Sequence, residues 1–181
     1  MEGWLAAAIA FVVGSAFMRR RAEAAEEMEP ASRDEIITII REESDRANIP
    51  AFIPLATAQS ESGIQHLPPT GAGQRTTFYP FGIQRNRGAD ITGLEGDDLD
   101  DELLNLRAHI RHGVNELARG YRRHGNDHEL IRRFWGYPSA ARNGRPFPNV
   151  TGSVKTAHRL QRWNDHVIMF GGPPGESVGV A

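Results

Sequence analysis

The sequence predicts a mainly α-helical fold of α+β type: a helical domain with a loop and short-strand insert, plus a separate hydrophobic helix at the N-terminus. Three patterns predict it. Leu99, Leu103, Leu106, Ile110, Val114, Leu117 and Tyr121 recur at intervals of three and four, the spacing that lines one face of a long helix. Pro50 to Gly63 (Pro-Ala-Phe-Ile-Pro-Leu-Ala-Thr-Ala-Gln-Ser-Glu-Ser-Gly) reads as a short apolar helix opened by proline and stopped by glycine. Between them, from Ile64 to Asp97, helical periodicity is lost and turn signals appear at Pro68-Pro69, Gly71, Gly73 and Arg87-Gly88.

Composition bounds the rest. A chain of 181 residues holds one domain with a sizeable core and short flanking segments. Its net charge of -2, with acidic and basic residues intermixed, gives no basic footprint for nucleic acid. The absence of cysteine removes disulfide and thiolate chemistry. Of the seven histidines, His109 with His112, and His124 with His128, have helical spacing. No HExxH pattern or carboxylate set accompanies them, so no metal site is assigned.

Taken in order, Trp4 to Met18 is almost wholly apolar and is followed at once by Arg19, Arg20 and Arg21. Residues 1–21 are read as an anchor helix, shorter than the roughly 20 apolar residues that span a bilayer but usable with snorkelling arginines. A cleavable signal carries positive charge ahead of its apolar run, whereas Glu2 precedes this one, so the chain is not read as a cleaved secreted protein. The positive-inside rule would keep everything after the arginines in the cytoplasm. Residues 4–18 are read as a membrane anchor, with a helix docked on a partner protein as the alternative. Delivery by a virus particle, lysis, or an orientation that breaks the rule would bring the domain to the outer side.

Residues 22–31 form a polar, alanine-rich linker ahead of the folded domain, read as 32–170. Ser32-Arg-Asp-Glu35 is a capping box before Ile36, Ile37, Ile39 and Ile40, which predicts a helix over 33–47. Thr76 to Ile83 is rich in aromatic and β-branched residues and suits a short strand or hairpin. The long leucine-striped helix is placed at 98–124, with acidic residues at its start, arginines at its finish and Gly125 beyond it, as the helix dipole prefers. Asn126 or Asp127 caps a shorter helix reaching Trp135, and a loop covers 136–148. A last helix runs over 151–170 with Val154, Ala157, Leu160 and Val167 on one side, and 171–181 is a flexible tail.

The helix after Pro50 carries one carboxylate, Glu61, on its last turn, with Phe52, Leu55 and Ala56 on an apolar face. A carboxylic acid beside an apolar surface is a natural general acid. Phe78, Tyr79, Phe81, Trp135 and Tyr137 downstream suit stacking on sugar rings, and Gln65, Gln74, Gln84, Arg85 and Asn86 suit a hydroxyl-rich ligand. The same residues equally describe a solvated glutamate, core aromatics and ordinary loop polarity. On the residues alone both readings stand.

A family resemblance separates them. Ile49-Pro50 through Gln59-Ser60-Glu61-Ser62-Gly63 resembles the catalytic helix of the soluble-lytic-transglycosylase-like family of the lysozyme superfamily. Phe81-Gly82-Ile83-Gln84 resembles that family's Gly-Leu-Met-Gln element, and Asn105-Leu-Arg-Ala-His-Ile-Arg-His-Gly113, with Leu117 after it, resembles its Asn-Ile…Gly…Leu helix. The three blocks occur in the family's order across residues 33 to 135. The resemblance implies a lysozyme-like domain that cleaves peptidoglycan glycan strands without a cofactor. Glu61 would be the catalytic acid and base, protonating the oxygen between N-acetylmuramic acid and N-acetylglucosamine and then closing a 1,6-anhydro ring. No second, nucleophilic carboxylate is then required.

Ser62, Tyr79, Gly82 and Gln84 would hold the substrate or the glutamate loop. The family's Ala-Tyr-Asn element has no clean match, and Trp135 or Tyr137, in Phe134-Trp-Gly-Tyr137, stands at its place. The usual Asn-Pro and Gly-Ala signals are absent between Gly63 and Phe81, which leaves a hydrolytic muramidase open, with Asp90 or Asp97 positioning a water. A particle protein that kept the fold and lost the chemistry is the remaining alternative. The anchor topology points to a bacteriophage virion protein, or a membrane-anchored one, that opens the wall locally during genome entry. Its partners are then glycan strands and, through residues 4–18, the membrane or other virion proteins.

Overall fold

The computed structural model describes residues 30–125, 131, 135 and 154–174. The expected anchor helix at 1–21, nearly all of the linker, most of the short helix ending at Trp135, Tyr137 and the tail beyond residue 174 lie outside the described residues. Within them the fold is mainly α: six α-helices and one two-stranded antiparallel ladder. No helix among the described residues is long and apolar enough to cross a membrane.

Helix α1 spans Arg33–Ala47, as its capping box predicts. Ser32 Oγ accepts from the Glu35 amide at 3.2 Å, a cap that contributes about 1 kcal/mol. Asn48 ends the helix in the left-handed region. Helix α2 is Phe52–Ser62. Pro54 falls in its first turn, where a missing N–H removes no helical hydrogen bond. Gly63, at φ 71, closes α2 by donating its N–H to the Gln59 carbonyl at 3.0 Å.

The expected hairpin is present but minimal. Strand β1 (Thr77–Phe78) pairs with β2 (Ile83–Gln84), and Thr70 bridges to Thr77 on the other side. The rest of the insert departs from expectation, because Arg85–Thr92 forms a helix, α3. Polar residues and an internal Gly88 conceal it from periodicity. Gly88 is buried, and a Cβ there would meet Leu103 Cδ1 at 2.6 Å, so the glycine is what lets α3 lie on the next helix.

The long helix expected over 98–124 is two helices, α4 (Gly96–Leu104) and α5 (Leu106–His124). Asn105 breaks them: its backbone is extended and its Oδ1 accepts from the Ala108 amide at 3.0 Å, capping α5. The leucine stripe runs through the break because both helices face one core, with Leu99, Leu103, Ile110, Val114 and Leu117 all buried. Helix α6 is Val154–Met169. The side chains of Val154, Ala157 and Leu160 lie outside the described residues, while Val167 is buried as the stripe predicts.

Helix α2 packs chiefly on α6, and α1 on α5. Trp163 of α6 is buried against α2 and donates its indole N–H to Thr57 Oγ1 at 3.2 Å. Between α1 and α5 the buried Glu43 carboxylate receives Arg107 Nη1 at 3.1 Å and Arg111 Nε at 3.3 Å. The two arginine side chains remain 40% and 51% exposed, so solvent screens both pairs and they add little to stability. The first residues of the expected tail are docked. Gly172 donates its N–H to Val167 O at 2.9 Å, and its Cα lies against Phe52.

Candidate active site

Glu61 lies on the last turn of α2, half-buried, where the helix leaves the core. The turn joining β1 to β2 comes directly onto it. A Cβ built on Gly82 would sit 3.2 Å from Glu61 Oε2, 3.5 Å from its Cβ and 3.6 Å from its Cγ. Backbone thus lies flat along one side of the glutamate. Gly82 also has φ 66, a conformation that costs an L-residue roughly 1–2 kcal/mol. Conformation and contact both call for glycine there.

The turn is held from below by α5. Phe81 is fully buried, and its ring lies on Gly113, where a Cβ would meet ring atoms at 2.6 to 3.0 Å. The Phe81 amide donates to His109 Nε2 at 3.2 Å. His109 and Gly113 are one helical turn apart, so a single face of α5 takes both the amide and the ring of Phe81. Trp135 packs on the Phe81 ring at 5.7 Å between centroids. Arg87 covers Trp135, its guanidinium 4.0 Å from the ring centroid, and donates to the Trp135 carbonyl at 2.8 Å.

Electrostatics fix the state of His109. Burial pushes its pKa down to about 3, nearby His66 and His112 lower it further, and the Leu103 carbonyl acts in the opposite sense. The ring is therefore neutral at ordinary pH, and acceptance at Nε2 places its proton on Nδ1. Burial also lowers His66, against the raising effect of Glu35. On the other face of α2, Ser60 Oγ lies 2.9 Å from His166 Nδ1 and donates to the Ala56 carbonyl at 2.8 Å. His166 is lowered by burial and by Arg162, with Asp165 opposing.

The residues singled out by sequence are placed differently from one another. Glu61 and Gly82 are in contact. Ser62 spends its hydroxyl on the end of α2, donating to Ala58 O at 3.2 Å and accepting from the Gln65 amide at 3.1 Å. Tyr79 is half-buried beside the turn with its hydroxyl 3.0 Å from Thr70 Oγ1, and Gln84 is exposed at the end of β2 opposite Thr77. Trp135 is core: a ring 2% exposed, with Arg87 over it and Phe81 against it, offers no open face to a sugar. The same holds for Phe78 and Phe81, at 3% and 0%. Tyr137 lies outside the described residues. Asp90 and Asp97 are exposed on α3 and the first turn of α4.

Sequence reasoning missed His109, Gly113 as a seat for Phe81, and the Ser60–His166 contact. For the first two a signal existed, since positions 106, 109, 110, 113 and 117 share one face of α5. No group of three histidine, aspartate or glutamate side chains among the described residues is arranged to hold a metal ion. An open cavity of about 450 Å³ is lined by Asp45, Asn48, Ile49, Pro50 and Tyr121, at the opposite end of α2 from Glu61. What the Glu61 site offers is a carboxyl braced on one side by backbone and still partly open to solvent, able to give a proton to a ligand and take one back.

The Gly82 contact has a measurable consequence. Gly82→Ala is expected to destabilise the domain by about 1–2 kcal/mol through φ alone, plus the displacement of the Glu61 carboxylate. Gly93 has φ 74 and nothing within 4 Å of a built Cβ, so Gly93→Ala isolates the conformational part. Urea midpoints should place Gly82→Ala below Gly93→Ala. Equal midpoints would show that the carboxylate moves aside at no cost.

Comparison with known proteins gives no match to a family model, to a curated protein or to a solved structure.

Proposed function

We propose that the domain is a lysozyme-like lytic transglycosylase of bacterial peptidoglycan, with Glu61 as its catalytic acid and base. The observation that carries this reading is the approach of the Phe81-Gly82 turn to the Glu61 carboxylate, 3.2 Å from a built Gly82 Cβ to Oε2. Two of the sequence blocks that resemble the transglycosylase family meet at the one group the chemistry requires. The third block lies beneath them on α5, where His109 and Gly113 seat the turn.

In this mechanism Glu61 protonates the glycosidic oxygen between N-acetylmuramic acid and N-acetylglucosamine, and the bond to the anomeric carbon breaks as positive charge spreads onto the ring oxygen. The resulting carboxylate takes the proton of the same sugar's 6-hydroxyl. O6 bonds to the anomeric carbon, and the acid is regenerated. Tyr79 and Gln84, on the hairpin beside Glu61, supply polar contacts to the glycan, and Ser62 fixes the end of the helix that carries the acid. The setting proposed is a phage particle or membrane, with residues 4–18 as the attachment and the wall as the target.

The test is the chemistry of the released ends. Digestion of purified peptidoglycan should yield muropeptides with 1,6-anhydro termini. Reducing termini would replace the transglycosylase with a muramidase, in which an aspartate such as Asp90 or Asp97 positions water. Intact peptidoglycan after prolonged incubation would leave a structural particle protein.

A further inference from the structure

We propose that His109 is a positioning residue for Glu61, holding the Phe81-Gly82 turn against the carboxylate from inside the core. The inference rests on the reading of Glu61 as the catalytic acid, but its geometry is independent of the reaction. Three contacts form a continuous path. His109 Nε2 accepts the Phe81 N–H at 3.2 Å, the Phe81 ring lies on Gly113 one turn along the same helix, and the next residue, Gly82, lies against Glu61. His109 is fully buried and stands on the rigid helix of the central core, while the turn it holds joins two strands of two residues each. So short a ladder defines the turn poorly by itself. The buried Phe81 amide needs an acceptor, and His109 provides it from α5.

An apolar residue at 109 would leave the Phe81 amide without that partner and free the turn to move. The carboxylate would lose the backbone brace that sets its direction. Misplacing a catalytic group by about 1 Å costs on the order of a hundredfold in turnover, while binding to the rest of the glycan is little altered. The defect should therefore fall on kcat and leave KM close to wild type.

The decisive comparison uses His109→Leu, which fills space without an acceptor, and His109→Gln, whose amide oxygen can reach the same N–H. With purified peptidoglycan, His109→Leu should lose about a hundredfold in kcat, and His109→Gln should recover most of that loss. Two spectroscopic readouts do not depend on turnover. In the wild type, ¹⁵N shifts of His109 should report the Nδ1–H tautomer, and the Glu61 carboxyl ¹³C signal should move in His109→Leu and stay in place in His109→Gln. A folded His109→Leu protein with unmoved Glu61 signal and wild-type kcat would overturn the positioning role while leaving Glu61→Gln to judge the proposed reaction. An Nε2–H tautomer in the wild type would overturn it even if neither variant folds. If the wild type cuts no glycan, the proposed function falls, and the Glu61 signal still decides whether His109 holds the turn.

Discussion

On the proposed reading, Glu61→Gln is expected to lower turnover on peptidoglycan by about 10³-fold and to leave the folded state nearly untouched. General acid–base catalysis by a positioned side chain contributes about 10²- to 10⁴-fold, and in the proposed mechanism one carboxyl serves both proton transfers. The amide keeps the shape that lies along Gly82, so stability should change by no more than about 0.5 kcal/mol. Release of muropeptides, measured beside a thermal melt, reads both quantities. The buried glutamates Glu43 and Glu116 are differently placed. Glu43 is held by Arg107 and Arg111 across α1 and α5, and Glu116 by Arg119 at 3.1 Å within α5, so both carboxylates are engaged by arginines. Glu61 is set apart by its exit from the core and by the glycine backbone at its side. A Gln variant that retains wild-type turnover would remove it from the chemistry.

Local rules expose part of this arrangement in the residues themselves. The capping box of α1, the glycine stop of α2 and the aromatic hairpin all follow from residues a few positions apart and survive in the fold, although α2 starts at Phe52, two residues after Pro50. Helix α3 and the break at Asn105 are less legible. A single polar residue within a regular leucine stripe looks like the wet face of one long helix, and only the extended backbone of Asn105 reveals a cap. The aromatics carry the same lesson for the site. Composition cannot tell a sugar platform from a core ring, and tertiary packing puts Phe78, Phe81 and Trp135 inside. Gly82 stands in a motif that the sequence singles out. Its meeting with Glu61, some twenty positions earlier in the chain, depends on a seat built by α5, and no periodicity encodes that.

The seat makes the fold sensitive to acid. His109 is held at about 3 in the folded protein against 6.5 for an ordinary histidine. An unfolded chain therefore binds a proton below about pH 6.5 that the native state refuses until near pH 3. Stability from the neutral, buried ring is complete above pH 6.5 and is lost as pH falls through that window, with a slope approaching 1.4 kcal/mol per pH unit for one proton, an order-of-magnitude figure. His66 and His166, both lowered mainly by burial, add to the loss in the same direction. Asp100 works the other way, since burial raises its carboxyl despite the adjacent Arg85. Urea midpoints taken from pH 7 to pH 4 should fall steadily in the wild type and less steeply in His109→Gln, which has no proton to take up at that position. Parallel lines for the two proteins would mean that another group drives the acid response. A protonated His109 has no lone pair left on Nε2 for the Phe81 amide, so in molecules that are still folded the contact that braces Glu61 should persist across this window and be lost only as the pH approaches 3.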